Sequence, residues 1–322
     1  MKMIKYTFVL FIAAFTASEV NAQQTQLSSL FPYNKVIVNP AEAGYNNVTD
    51  VSLSFRKQWT GITGTPTTSW ITGHTALNPK MGLGGVIIYD EMAFIKNIDA
   101  KLSYAYHLKL AKDFKLSFGL GIGIQQSTIS TGNVIADDYT DEILESGNTS
   151  GVLFDAQFGT LISYKDFRLG VNVPQLLQPR MTVPTPSFET SYDLRSHLNV
   201  YLCYDSKINE SVKAIPSILY RRSNASSQFD VFANFEFNNT LILGLGYRQG
   251  VGVLANVGAR IKDKFQVNYA YDFGKSGFGS STGGSHEIML KLIMNKKEKD
   301  GLIEEGDGNK NDNKNESIKN KF

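Results

Sequence analysis

From residue 50 onward, apolar and polar residues alternate one by one over unusually long stretches. Ile98, Ala100, Leu102, Tyr104, Tyr106, Leu108 and Leu110 fall on one face, with Asp99, Lys101, Ser103, Ala105, His107 and Lys109 on the other. Phe114, Leu116, Phe118, Leu120, Ile122 and Ile124 alternate with Lys115, Ser117, Gly119, Gly121, Gly123 and Gln125. The same period of two runs through Phe229–Phe237 and Phe265–Phe273. It is the signature of strands with two unlike faces. The runs reach the roughly 9–11 residues that a tilted strand needs to cross a bilayer, where strands of soluble proteins average about five or six.

Fourteen candidate strands follow: 50–59, 67–77, 81–90, 97–111, 114–126, 151–165, 166–174, 192–206, 211–222, 227–238, 240–248, 251–261, 264–273 and 285–294. Alternate connections are very short (78–80, 111–113, 165–166, 206–210, 238–240, 262–264), whereas 127–150, 175–191 and 274–284 are long. Short turns at one end and long loops at the other are the habit of outer-membrane barrels. The expected fold is all-β: a transmembrane antiparallel β-barrel of about 14 strands, with both termini on the periplasmic side. A short helical turn fits Tyr139–Glu145, inside a loop.

The ends of the chain set the expected compartment. Lys2 and Lys5, an apolar run from Tyr6 to Ala14 and the small-residue site Val20-Asn21-Ala22 read as a secretory signal peptide over 1–22. No cysteine follows the apolar run, which points away from a lipoprotein anchor; the single cysteine, Cys203, forms no internal disulfide and builds no metal motif. Residues 23–49 are expected to be a periplasmic segment before the barrel, which spans 50–294. Residues 295–322 carry seven basic and seven acidic side chains with almost nothing apolar, and read as a disordered periplasmic tail.

Charge and motifs remove function classes. Lys and Arg total 32 against 30 Asp and Glu, which gives no electrostatic case for nucleic acid. No apolar run of the mature chain reaches the ~20 residues of a membrane helix. The lumenal faces are expected to carry Asp99, Lys101, Asp155, Arg168, Arg195, His197, Arg221, Asp230, Glu236, Arg248, Arg260, Asp272, Glu287 and Lys291. Both signs are mixed there, which suits ion pairs across the lumen better than a selective pore. GxSxG, HExxH and CxxC are absent. No enzyme activity and no cofactor or metal is expected, and His107, His197 and His286 stand on separate strands. The glycines of 119–123 and 243–247 lie inside alternating strands, where they leave space or bend the wall rather than hold phosphate.

The stretch RKQWTGITGTPTTSW (56–70) ends the first strand and turns back at a barrel mouth. Alternation puts Arg56 and Gln58 in the lumen, with Trp59 at the membrane interface; Gly61, Gly64 and Pro66 shape the turn, and Thr67 and Thr68 follow it. These eight residues are candidates for shaping the mouth or holding a substrate.

The ordered set NPAEAG (39–44), RKQWTGITGTPTT (56–68), HTAL (74–77), GLGGVIIYD (82–90), FRLGVNVPQLL (167–177), LGLGYR (243–248), YAYDF (269–273) and GGSHEI (283–288) resembles the PorP/SprF family of the type IX secretion system. The resemblance covers roughly 35–294 and marks Asn39, Pro40, Gly44, Asp155, Pro174, Arg248, Asp272, His286 and Glu287 as family-motif positions. It implies an outer-membrane barrel whose partners are lipid, translocon and periplasmic-ring components, and a secreted or surface-anchored, adhesin-like substrate with a C-terminal secretion domain. Gliding motility is one setting it implies. The alternative that the residues leave open is a diffusion channel or small-solute transporter. Two features depart from the family pattern: the charged tail, and a last strand without a terminal aromatic.

Overall fold

The structure, a computed structural model, describes residues 26–131, 148–184, 189–223, 226–274 and 282–294. The signal peptide, the helical turn at Tyr139–Glu145 and the charged tail expected from sequence lie outside these residues. No helix is long and apolar enough to cross a membrane among them.

The first seven strands are β1 (Asp50–Lys57), β2 (Thr67–Asn78), β3 (Met81–Met92), β4 (Ile95–Ala111), β5 (Phe114–Ser130), β6 (Asn148–Tyr164) and β7 (Phe167–Val173). Two short strands follow, β8 (Arg180–Pro184) and β9 (Glu189–Asp193), then β10 (Leu198–Tyr204) and the two-residue β11 (Ser206–Lys207). The last six are β12 (Val212–Arg222), β13 (Ser227–Phe237), β14 (Leu241–Arg248), β15 (Gly252–Ile261), β16 (Phe265–Gly274) and β17 (Ser285–Ile293). Apart from β8, β9 and the short β11, each pairs antiparallel with its neighbours in the wall. β1 meets β17 and β10 meets β12, so fourteen strands form a closed barrel. Closure gives every wall strand a partner on both sides, β6 meeting β7 over Phe158–Tyr164 only, and a membrane wall requires such pairing.

The alternation sorts as the chain pattern demands, with apolar residues outward. Leu102 and Phe154 are 70% exposed, while Ser103, Ala105 and His107 on the opposite face of β4 are buried. Aromatic residues gather at the turn end, where Phe114 meets Tyr164 and Phe167 stacks on Tyr204 at 4.3 Å. A second group, Phe229, Tyr247, Tyr269, Tyr271 and Phe273, stands near the long-loop end. Such belts mark the two membrane surfaces.

Four differences from the sequence expectations concern the function. First, residues 26–48 are not a segment outside the barrel. They fold as four 3₁₀ turns (Phe31–Tyr33, Lys35–Ile37, Pro40–Glu42, Tyr45–Asn47) packed inside the lumen. The reason is visible in the wall, whose inner face carries Trp70, Val86, Leu161, Leu219, Phe232, Ile242 and Leu254. These need an apolar cover that water does not provide.

Second, the chain enters this plug on the long-loop side. Ser28 and Ser29 touch Arg248 and Glu287 near that end, and the segment descends to Asp50 at the turn end. The N-terminal end of the described chain therefore does not share the turn end with Ile293.

Third, the strand expected over 192–206 is divided. β9 forms a separate hairpin with β8, and only Leu198–Tyr204 lies in the wall. Pro216 has no N–H to give, so the β10–β12 ladder stops at Cys203↔Ser217 and resumes through β11. Arg195, expected in the lumen, lies in the connection before β10 and is exposed.

Fourth, β5 and β6 reach further than expected, to Ser130 and from Asn148, so part of the predicted 127–150 loop is strand.

Candidate functional site: a buried charge cluster between plug and barrel seam

The NPAEAG turn is the part of the plug most closely fitted to the wall. Asn39 caps the turn at Pro40: its side-chain oxygen accepts from Ala41 N at 2.9 Å. Its amide nitrogen donates to Thr160 O of β6 at 2.9 Å. Asn172 of β7 donates to Val38 O at 2.7 Å. Across the lumen, the Glu42 carboxylate accepts from the Tyr201 hydroxyl at 2.6 Å and lies 3.6 Å from the Arg168 guanidinium. Gly44 has φ +68°, and its N–H donates to His74 Nδ1 at 3.2 Å; any side chain there would strike Thr75 O and the Gly82 Cα.

The wall reciprocates with missing side chains. A Cβ on Gly82, Gly119 or Gly159 would lie 2.0–2.2 Å from Ala43 O, Ala41 N or Asn39 Oδ1. The lumenal space that the sequence assigned to Gly119 is the plug's own. Lys35, in the plug rather than a wall strand, has its pKa lowered, chiefly by burial of its ammonium; its Nζ donates to Pro32 O.

At the other side of the plug, the wall strands bring charges together around Ser28 and Ser29. Arg56 of β1 donates to Asp272 of β16 at 2.5 Å, to Glu287 of β17 at 3.2 Å and to Ser29 Oγ at 3.0 Å. Arg248 of β14 donates to Asp272 at 3.4 Å, to Ser28 O at 2.9 Å and to Asp230 of β13 at 3.1 Å. Glu287 accepts from Ser28 Oγ at 2.6 Å and from Ser29 N at 2.7 Å. Arg221 of β12 completes the set through Asp230 at 2.5 Å. Three guanidinium groups thus face three carboxylates, all at most 8% exposed. Such a cluster is weak evidence of net stability, but removing one member strands a charge in a dry interior.

Arg56 was expected at the mouth. It is 1% exposed and offers nothing to an outside partner. Its register opposite Glu287 closes the barrel between first and last strands. The rest of RKQWTGITGTPTT continues that seam. Trp59, at φ +47°, directs its N–H to Ser285 Oγ at 3.3 Å. Thr60 and Gly283–Gly284 exchange backbone bonds at 2.8 and 2.9 Å. Gln58 N donates to Pro66 O, Lys57 Nζ to Thr67 Oγ1, and Thr68 Oγ1 to Asp90. What the turn shows to the outside is Gly61, Thr63 and Gly64.

The remaining motif positions separate. Asp155 lines the lumen and accepts from Leu177 N at 3.3 Å. Pro174 ends β7, its carbonyl receiving His197 N. His286 turns outward into the aromatic group, bonded to the Tyr269 hydroxyl at 2.7 Å. His107 does meet a serine, Ser117 Oγ at 2.8 Å, but its other nitrogen is held by Ala43 O and both groups are sealed beneath the plug. No group of three or more His, Cys, Asp or Glu that could hold a metal occurs among the described residues.

Sequence reasoning missed the plug contacts of Ser28, Ser29, Glu42, Tyr201 and Asn172. Their signal was indirect: large apolar residues such as Phe232 on an otherwise polar lumenal face.

A closed fourteen-strand wall with apolar residues outward, aromatic belts and a lumen filled by its own N-terminal segment defines an outer-membrane β-barrel. A family model described as "Type IX secretion system membrane protein PorP/SprF" matches residues 20–292, and the chain belongs to that family. No curated protein sequence matches it. Solved barrels with similar folds include a Pseudomonas aeruginosa FadL homologue (TM-score 0.49, 10% identity, 82% of this chain and 92% of that chain). The Ralstonia pickettii toluene transporter TbuX (0.47, 9%, 80% and 91%) and the Pseudomonas putida toluene transporter TodX (0.44, 10%, 84% and 93%) are others.

Proposed function

We propose that this barrel is an accessory of the type IX system that binds a secreted, adhesin-like partner through that partner's C-terminal secretion domain and supports its export or surface attachment. The long loops face outward, the turn end faces the periplasm, and translocon and ring components are its neighbours in the cell. One observation carries the choice of binding over conduction: residues 26–48 fill the lumen and are bonded to β1, β2, β4, β6, β7, β10, β14 and β17. A diffusion channel needs an open path, and this one is occupied by packed protein. Catalysis finds no support in the site, because its charged groups are consumed by one another. In a deletion strain, one surface substrate is lost from the cell surface while the other type IX substrates are displayed normally. Normal display of every type IX substrate in that strain refutes the proposal. Whether the partner serves gliding is read from the same strain's motility.

A further inference from the structure

Among the described residues, every glycine inside a wall strand faces the lumen except two, Gly73 of β2 and Gly85 of β3. These two stand opposite each other on the outward face. They lie between Val51 of β1 and Leu102 of β4, in a row across the wall that ends at Ile122 of β5. Neither has a backbone conformation that calls for glycine. Packing does not call for it either. A Cβ on Gly73 would lie 3.5 Å from its nearest neighbour, Val51 Cγ2, and one on Gly85 would lie 3.8 Å from Leu102 Cδ2 and Lys101 O. These are ordinary contact distances, unlike the 2.0–2.2 Å clashes that keep Gly82, Gly119 and Gly159 bare. Glycine weakens a strand interior, and one use of it there is to let a ligand approach closely. The two missing side chains open a groove of about 610 Å³ on the outside of the barrel, bordered by Leu83, Tyr104 and Leu120.

Its height in the membrane says what can enter it. Counted from the turn end, Val51 is the second residue of β1 and Ile122 the ninth of β5. The groove therefore starts near the turn-end surface and climbs toward the middle of the bilayer. Four strand spacings of ~4.8 Å make it roughly 19 Å long. At a ~40° strand tilt it rises about 12 Å, close to the ~15 Å depth of one leaflet of a ~30 Å hydrocarbon core. Its accessible lining is almost wholly apolar. Thr49 and Thr75, hydrogen bonded to each other at 2.7 Å, stand at its lower end. Lys80, exposed on the turn between β2 and β3 just below, offers an ammonium to a phosphate.

We infer that the groove binds one acyl chain of a phospholipid from the leaflet at the turn end, seated over Gly73 and Gly85 with its headgroup beside Thr49, Thr75 and Lys80. The bilayer surrounds this face, and an acyl chain matches its chemistry: it has no polar group to satisfy and bends to follow an oblique path. Other occupants match it less well. The chain's own tail leaves the wall beside the groove, where Met294 N donates to Thr49 O at 2.7 Å. Residues 295–322 carry seven basic and seven acidic side chains, which are costly to place in hydrocarbon. A second copy, related by a two-fold centred on the groove, sets hollow against hollow, and neither fills the other. The inference is independent of the proposed role in partner binding.

The test uses the full-length mature barrel, purified in mild detergent and weighed by native mass spectrometry, with heat-dependent mobility as the control for assembly. The wild type keeps one phospholipid per barrel. Gly85→Leu fills the groove from its floor; it assembles, and its lipid occupancy falls at least about tenfold, equivalent to ~1.4 kcal/mol. Ala233→Leu, a similar enlargement on the exposed outward face of β13, leaves occupancy unchanged. If Gly85→Leu does not assemble, the double variant Gly73→Ala, Gly85→Ala, whose two methyl groups the wall admits at contact distance, is read the same way. A phospholipid with a photoreactive group on its acyl chain labels the β3–β5 region of the wild type and spares it in the groove variant. A wild-type barrel without retained lipid, undiminished occupancy in an assembled groove variant, or an equal loss in Ala233→Leu overturns the inference. So do crosslinks from Gly85→Cys in cells that reach a protein or a second barrel instead of lipid.

Discussion

Replacing Arg56 with Met keeps most of the side-chain volume and removes the charge, so it isolates the electrostatic part of the cluster. The wild-type set is balanced, Arg56, Arg221 and Arg248 against Asp230, Asp272 and Glu287. Arg56→Met leaves one carboxylate in excess in a site where Asp272 and Glu287 are at most 1% exposed. Stranding one partner of a buried pair costs about 3–5 kcal/mol, a drop in the folding equilibrium of roughly 10²- to 4 × 10³-fold at ~1.4 kcal/mol per tenfold. Combining Arg56→Met with Glu287→Gln restores the balance, and the new glutamine still bonds the plug, its amide oxygen accepting from Ser29 N and its amide nitrogen donating to Ser28 Oγ. The double variant should recover about half or more of the loss, giving a coupling of about 2 kcal/mol. The assay is urea unfolding in detergent micelles, followed by the fluorescence of Trp70, buried against Val36 of the plug. A single-variant cost below about 1 kcal/mol, or a double variant less stable than the sum of the singles, refutes the reasoning.

Other expectations follow from the plug. Gly82→Val puts side-chain atoms where Ala43 O now lies; the wall still assembles, the plug is displaced, and residues 26–48 become protease-sensitive, which they are not in the wild type. Phe31→Ala removes the ring packed edge-to-face on Phe232 at 5.5 Å and costs about 3–5 kcal/mol in the same unfolding assay. His286→Gln, on the outward face, leaves surface display of the partner unchanged; loss of display in an assembled His286→Gln barrel would mean that this aromatic group touches the partner.

The wall was legible in the chain because its code is local. A period of two over a dozen residues, as in Ile98–Leu110, fixes both the strand and its inner face, and the spacing of turns fixes the order of strands. The plug was not legible by the same means. Four 3₁₀ turns of three residues each have no period to read, and NPAEAG looks like a connector until Gly82, Gly119 and Gly159 are seen opposite it. The clue lay in apolar residues out of phase with the lumen, Trp70, Phe232 and Leu254, which imply a cover without saying which segment provides it. Arg56 shows the limit of alternation in another way: the pattern gave its face correctly but could not give its partners, which come from β16, β17 and the plug, more than 200 residues away or at the far N-terminal end.

The central claim is that this barrel works by binding and not by conduction, because its own residues 26–48 fill the lumen. Single-channel recording of the purified full-length mature barrel in planar lipid bilayers tests it most directly. The account predicts no stable ion conductance from the wild type and discrete openings from Gly82→Val. Steady wild-type openings of the size of a water-filled pore would contradict it.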